Sequence, residues 1–320
     1  MKTRLFLLAF LFAPVASVFG FGREGHQAIA EIARLHLTLA ARSAVGRLLG
    51  TDDLAAVAPW LDDVRAASRN RGAMKGEDEA SQFNHRFPAS AKWHFVNIPV
   101  GTDRYDERSV FASANDVVHA INLAVRTLEG ADTGLTPTEA LKVLIHCVGD
   151  VHQPLHCVSG YYDIRQPSAP RLLAPEQATL VSPTDAGGNA LFFSPSQNLH
   201  ELFDTLLLHH IVSGSDYRAL AATTERSELR RHGLTGGDYH AWAVAWASES
   251  VRAGNEAYAG LSFLAAETSP GRGGAPRLHQ IRVTFPRDYE ARQAAMISRQ
   301  IGEAGLRLAE LLNALRWSAP

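Results

Sequence analysis

Two segments place a histidine and an aspartate four residues apart inside stretches of helical periodicity: His146-Cys-Val-Gly-Asp150 and His200-Glu-Leu-Phe-Asp204. On an α-helix that spacing stacks both side chains on one face. Any fold for this chain must therefore carry two helices that each present an imidazole beside a carboxylate. These are the ligand types a catalytic zinc takes. Between the pairs runs Asp150-Val-His-Gln-Pro-Leu-His156, whose proline should end or kink the first helix and turn His156 toward a second metal. Either pair alone reads as a structural hydrogen bond or a solvated pair. Two pairs, with a further histidine beyond a kink, read as ligands. His152 is expected to steady a ligand rather than bind metal. His36, His85, His119, His209, His210, His232, His240 and His279 lack such a setting and read as surface or core residues.

Composition restricts the partners. The chain has 320 residues, 46% hydrophobic and 20% charged, an ordinary globular balance. A net charge of −2 gives no support to a basic nucleic-acid groove, so bound cations would have to hold any phosphates. Lys2 and Arg4, the apolar run Leu5 to Val15 and the small residues that follow read as a signal peptide over 1–20, cut after Gly20. No stretch reaches the ~20 apolar residues of a membrane span, so the mature chain is expected to be exported, periplasmic or secreted, and free of the membrane. Only Cys147 and Cys157 are present, which excludes a disulfide-built scaffold. Buried thiols and a single bridge both fit, and thiolate ligands fit less well.

Nearly every periodic segment reads as helix: Ala28 to Leu39, Ala40 to Leu49, Val110 to Leu128, Glu139 to Val151 capped by Thr138, Asn198 to Val212, Tyr239 to Tyr258 and Tyr289 to Leu315. Trp93 to Val96 and Ala190 to Phe193 are short extended candidates. A proline-rich insert, 159–185, reads as a lid or specificity loop, with Tyr161 and Tyr162 facing solvent in preference to stacking on bases. The expectation is an all-α fold: one helical domain over 21–320.

His146-Cys-Val-Gly-Asp-Val-His-Gln-Pro-Leu-His156 resembles the signature of the zinc-dependent single-strand nucleases, the S-one/P-one family. Matching elements follow the family order: Phe21-Gly-Arg-Glu-Gly-His26, Trp60-Leu-Asp62-Asp-Val-Arg65, Trp93-His94-Phe-Val-Asn97, Asp185-Ala-Gly-Gly-Asn189 and Asn198-Leu-His200 through Asp204. Trp246 to Ser250 and Ala304 to Asn313 match later helical segments.

That resemblance implies three zinc ions in a helical fold of the kind shared with zinc-dependent phospholipase C. One zinc would take Asp62, His94, His146 and Asp150. A second would take His156, His200 and Asp204. The third would take His26, Asp150 as a bridge, and the amino nitrogen and carbonyl oxygen of Phe21. Asp62, Arg65 and Asp150 would carry the chemistry, with Arg65, Asn97 and Asn189 at the substrate. The implied activity is hydrolysis of single-stranded DNA or RNA by a monomer to 5′-phosphorylated products, with 3′-nucleotidase activity. Phe21 stands where the family usually has Trp, and Asn97 where fungal members have Asp. A zinc-dependent phospholipase C and a non-catalytic exported zinc-binding protein are the alternatives. The first typically has Glu in place of Asp204, and the second has no use for Arg65.

Overall fold

The computed structural model describes residues 21–69, 79–231, 233–270 and 276–317; the expected signal segment and His232 lie outside the described residues. Its helices are α1 (Gly22–Leu35), α2 (Leu39–Leu49), α3 (Leu54–Val57), α4 (Trp60–Arg69), α5 (Glu79–Arg86), α6 (Val117–Leu128), α7 (Pro137–His152), α8 (Pro154–Cys157), α9 (Leu199–Glu201), α10 (Leu208–Ile211), α11 (Tyr217–Glu228), α12 (Trp242–Tyr258) and α13 (Tyr289–Ala314). Short strands join them: β1 (Ile98–Pro99), β2 (Val158–Ser159), β3 (Tyr162–Asp163), β4 (Arg171–Leu172) and β5 (Leu191–Phe192). The longer β6 (Ser262–Pro270) and β7 (Pro276–Thr284) form an antiparallel hairpin, and β5 adds to β7 in parallel. The fold is all-α in class, and the hairpin is a feature that the sequence reading did not anticipate.

The organising element is α7. Its side chains from Val143 to His152 are all buried, as expected of a helix enclosed on every side. It packs on α6, α13, α12, α4, α1 and α2. Thr136, not Thr138, caps it. The Thr136 hydroxyl accepts the Glu139 N–H at 3.2 Å while the Glu139 carboxylate accepts the Thr136 N–H at 2.9 Å. Pro137 sits in the first turn, where its missing N–H is harmless. Arg86 of α5 pairs with Glu139 and ties this start to α5. At the other end the helix stops at His152, and Gln153 caps both its end and the start of α8, so Pro154 breaks the helix as expected.

Two other boundaries move for local reasons. The helix expected from Val110 begins only at Val117, because Asp116 accepts N–H groups from His119 and Ser113 and the Tyr105 hydroxyl, fixing a cap there. The extended segment expected at Trp93–Val96 falls later, at β1, since a 3₁₀ turn over Ser90–Lys92 runs into Trp93. β1 pairs in parallel with β2, through Ile98 with Val158 and Pro99 with Ser159. This short ladder holds the chain after His94 beside the chain after His156.

The long α13 backs α1, the helix that carries His26, and Gly305 lies against Ile29 and Ile32 of α1. A β-carbon there would lie 2.5 Å from Ile32 Cβ and 3.0 Å from the Ile29 carbonyl oxygen. Gly305→Ala is expected to destabilise the protein by about 1–3 kcal/mol through overpacking. At Gly46 of α2 a β-carbon meets nothing within 4 Å, so Gly46→Ala should be neutral or stabilising by about 0.5–1 kcal/mol. Urea unfolding of both variants checks the contrast.

Candidate metal centre

Among the described residues, three groups of buried histidines and aspartates have ligand atoms close enough to share a cation: Asp62, His94 and His146; His26, His146 and Asp150; and His156, His200 and Asp204. They come from separate elements. His26 lies on α1, Asp62 on α4, His146 and Asp150 on α7, and His156 on α8, while His94 precedes β1. His200 lies on α9 and Asp204 in the π-type turn Leu202–Leu206, where the Leu207 N–H reaches back to the Leu202 carbonyl at 2.9 Å. Such widened turns often mark functional sites, because they displace one side chain from the regular helical face.

The first group is the tightest. His94 Nδ1 and His146 Nε2 each lie 3.0 Å from Asp150 Oδ2 and 3.1 Å from one another. Asp62 Oδ1 is 3.7 Å from the first nitrogen and 3.9 Å from the second. Four ligands at zinc distances of 2.0–2.1 Å in a tetrahedron stand about 3.3 Å apart, so this spacing suits zinc. On its other oxygen, Asp150 Oδ1 lies 3.4 Å from His26 Nε2. In the third group, Asp204 Oδ2 is 3.3 Å from His200 Nε2 and Asp204 Oδ1 is 3.9 Å from His156 Nε2. Both oxygens of Asp62, both ring nitrogens of His26, Asp150 Oδ1, His94 Nε2 and His200 Nε2 are buried without a hydrogen bond. Buried polar atoms rarely lack partners, and a bound cation accounts for those that face the clusters.

Backbone carbonyls aim three of the rings. The Nδ1–H groups of His146, His156 and His200 donate to the oxygens of Ala58 (2.8 Å), His94 (2.6 Å) and Gly187 (2.6 Å), leaving each Nε2 as the ligand atom. Gln153 Nε2 donates to Asp204 Oδ1 at 2.7 Å. Space is made as well as filled. A β-carbon at Gly149 would come 2.7 Å from His26 Nδ1, so the residue between the two α7 ligands must stay small.

Asp185 belongs to none of the groups. It is fully buried and accepts N–H groups from Gly160 and Gly188 (both 3.1 Å) and the hydroxyls of Tyr162 (2.6 Å) and Tyr258 (2.9 Å). That knot secures the turn in which Gly187, at φ +66°, presents its carbonyl to His200. Gln153 and Asp185 lie within the quoted motifs but carry no signal of these roles there, and Tyr258 carries none.

Several expectations need correction. Tyr161 and Tyr162 are buried rather than solvent-facing, and the Tyr161 hydroxyl donates to the Asn97 carbonyl at 2.9 Å. The 159–185 insert is folded, with β3 and β4 paired and Pro167 accepting the Ala266 N–H at 2.7 Å. The His152 ring donates to the Val148 carbonyl at 2.7 Å and meets Arg307 at 3.0 Å. Cys147 and Cys157 are free buried thiols that bond to the carbonyls of Trp93 and Val151, and neither joins a cluster. Phe21 is fully buried at the start of α1, with its carbonyl accepting the Gly25 N–H at 3.2 Å.

Arg65, Phe95, Asn97, Leu155, His156, Ala186, Asn189 and His200 line a cavity of about 130 Å³ against the third group. The Arg65 guanidinium lies 5.9 Å from the Phe95 ring centre.

Burial sets the protonation of the centre. It lowers His94 and His200 to about 3 and His26 to about 4, keeping them neutral donors of a lone pair. It lifts the carboxyls of Asp62 to about 6 and Asp204 to about 8. His146 is opposed by burial, yet the charges of Asp150 and Asp62 prevail and raise it to about 9. Asp150 is held well below the usual carboxylate range, because His146 and His156 outweigh its burial. Without metal, protons thus stand in for cationic charge.

Compared with known proteins, the chain matches the S1/P1 Nuclease family over residues 21–316. It is similar to Nuclease P1 of Penicillium citrinum, at 24% identity over 313 residues that cover 93% of this chain and 98% of that protein. It is also similar to Nuclease S1 of Aspergillus oryzae, 24% identical over 237 residues, 71% of this chain and 67% of that protein. Endonuclease 2 of Arabidopsis thaliana is 24% identical over 221 residues, 64% and 61% of the respective chains.

The raised groups fix the sign of a pH effect. Asp204 and His146 both have folded pKa values above their ordinary ones, so the stability linked to their protons is present in acid. It is lost as pH rises through about 8 and about 9. Zinc binding needs the same protons removed, so its affinity runs the other way. Metal-free protein in chelator is expected to unfold at a lower temperature at pH 9 than at pH 6. The stabilisation gained on adding zinc should grow over the same interval. Thermal unfolding with and without zinc across that range checks both signs.

Proposed function

The chain belongs to the S1/P1 nuclease family, and from that premise we propose that it is an exported three-zinc phosphodiesterase. It hydrolyses single-stranded DNA or RNA to 5′-phosphorylated products, with 3′-nucleotidase activity at the same centre. The observation that carries this reading is the meeting of three buried His/Asp groups, with Arg65 beside His156 and His200 in one cavity. The proposal extends to a signal peptide over 1–20 and a single monomeric domain over 21–320. No helix among the described residues is long and apolar enough to cross a membrane.

In this reading Asp62, His94, His146 and Asp150 hold one zinc, and His156, His200 and Asp204 hold a second. His26, Asp150 and the amino nitrogen and carbonyl oxygen of Phe21 hold the third. When bound, such ions supply a water of lowered pKa and positive charge at the leaving oxygen. The chain's own part is positional. Asp150 directs one oxygen toward His94 and His146 and the other toward His26, which suits it to bridge two ions. Asp62, with no hydrogen bond to its carboxylate, completes the first ligand set. Arg65 presents a planar guanidinium whose forked donors suit phosphate oxygens as charge builds during displacement. Asn97 and Asn189, in the same cavity, contact the nucleotide.

The direct test offers zinc-loaded protein beginning at Phe21 single-stranded DNA, RNA, a 3′-nucleotide and a phosphatidylcholine emulsion side by side. Release of 5′-phosphorylated products is expected. Headgroup release without nucleotide release would assign the chain to the phospholipase C class instead, and zinc binding without any hydrolysis would leave a non-catalytic zinc-binding protein.

The N-terminus gives a second outcome. A peptide nitrogen is a poor zinc donor because its lone pair is delocalised into the amide. Protein that begins at Phe21 should therefore bind one zinc more than protein with two extra residues ahead of it. The extended form should also lose most of its activity. Equal zinc content and equal rates would remove Phe21 from the ligand set.

A further inference from the structure

Resting on the three-zinc reading, we propose that Asp185, held by Tyr162 and Tyr258, is a positioning residue for the zinc of His156, His200 and Asp204. It fixes a left-handed turn wedged between α8 and α9 and so sets the direction of the His200 ring. Loss of its carboxylate weakens that zinc and spares the others.

The turn is made of unusual backbone. Ala186, Gly187 and Gly188 take φ of +53°, +66° and +82° in succession. Among the described residues, Ala186 is the only one other than glycine in the left-handed region, where a β-carbon crowds the carbonyl oxygen that follows. Such a conformation persists only where the surrounding structure imposes it. The turn is also tightly seated. A β-carbon at Gly187 would collide with the Leu155 carbonyl oxygen, and one at Gly188 would lie 3.1 Å from Leu199 Cβ. Leu155 directly precedes His156, and Leu199 directly precedes His200. The Gly187 carbonyl accepts the His200 Nδ1–H at 2.6 Å, and the His156 and His200 rings stack 5.0 Å apart at 15°. Turn and ligand pair form one unit.

Asp185 supplies the bonds that hold this backbone. Its Oδ1 accepts the N–H groups of Gly188 and Gly160, both at 3.1 Å. Its carbonyl accepts the Ala190 N–H at 3.0 Å, and its own N–H donates to the Gly160 carbonyl at 3.1 Å. The turn is thereby closed across its far end and tied to the strand that follows His156. Tyr162 of the insert and Tyr258 at the end of α12 donate their hydroxyls to the same carboxylate, at 2.6 and 2.9 Å. Every partner of the carboxylate is a donor, so a proton on it would have no acceptor. Burial lifts this carboxyl only to about 6, which leaves it ionised at neutral pH. Asp185 belongs to none of the metal groups, so its effect on zinc passes through the turn.

Zinc binding tests this directly. Chelator-stripped protein beginning at Phe21 is titrated with zinc, and bound zinc is counted against free zinc. In Asp185→Asn, whose amide sets N–H groups against donors, one zinc should weaken by about 10–100-fold, the range seen when a partner that orients a metal ligand is lost. The remaining zincs should hold. Tyr258→Phe removes one donor and no charge, and should weaken the same zinc by about tenfold or less. His200→Ala already disables this group, so adding Asp185→Asn to it should weaken no further zinc. Ala186→Gly makes the left-handed turn easier to adopt, and should recover part of the loss in Asp185→Asn.

Equal weakening of every zinc in Asp185→Asn, no weakening at all, or a further loss in the His200→Ala background would overturn the proposal. If Asp185→Asn does not fold, Tyr258→Phe decides by the same criteria. The expected zinc results in a protein that leaves single-stranded nucleic acid intact would support the positioning role and overturn the nuclease reading. An unaltered protein that binds no zinc would overturn both.

Discussion

The carboxylate of Asp150 has no exposed surface, yet it lies within 3.0–3.4 Å of ring nitrogens from four histidines: His94, His146, His156 and His26. A carboxylate buried among neutral imidazoles is untenable without positive charge between them. Protons supply it in the metal-free chain, on His146 above all, and divalent cations supply it better. The rest of the architecture keeps this arrangement dry and aimed. That is why the helix carrying Asp150 is packed on by α1, α2, α3, α4, α6, α8, α12 and α13, and why its ligand-bearing turns expose nothing to water.

Rigidity around the centre comes from main-chain groups more than from side chains. Three imidazoles are aimed by the carbonyls of Ala58, His94 and Gly187, which lie between α3 and α4, just ahead of β1, and in the turn after the 159–185 insert. The insert is thereby part of the frame. Its first residue, Ser159, pairs with Pro99 of β1, its tyrosine hydroxyls bond to Asp185 and Asn97, and Asp185 secures the turn that holds His200. A loop that reads as an independent lid is tied to the same turn that orients a ligand. Changes in its first and last residues should therefore reach the metal groups as well as the substrate cavity.

The helical class, the break at Pro154 and the residues that converge on the centre were legible in the sequence. Local rules carry part of this: i, i+4 spacing for His146 with Asp150 and His200 with Asp204, and the missing N–H of proline, whereas His26, Asp62 and His94 were legible only through the family resemblance. Helix starts were less legible where short polar side chains compete for the cap, as Asp116 does against Val110 and Thr136 against Thr138. The β6–β7 hairpin escaped notice because its inner positions, Ile281 and Val283 among them, alternate too briefly to stand out from the helical segments on either side.

By itself the sequence determined the chemistry available: which imidazoles and carboxylates face inward, and in what order along the chain. Tertiary structure alone decided how they divide into groups, with Asp150 turned toward two of them and His26 brought from α1 against the small Gly149. It also decided that Tyr161, Tyr162 and Asp185 are buried structural partners, and that the His152 ring lies beside Arg307. The physical reason is the range of the forces. Helical periodicity writes a ligand pair into five consecutive residues. A ring's tautomer or an amide's direction depends on carbonyls and hydroxyls from distant segments, and a main-chain carbonyl leaves no signature in the sequence.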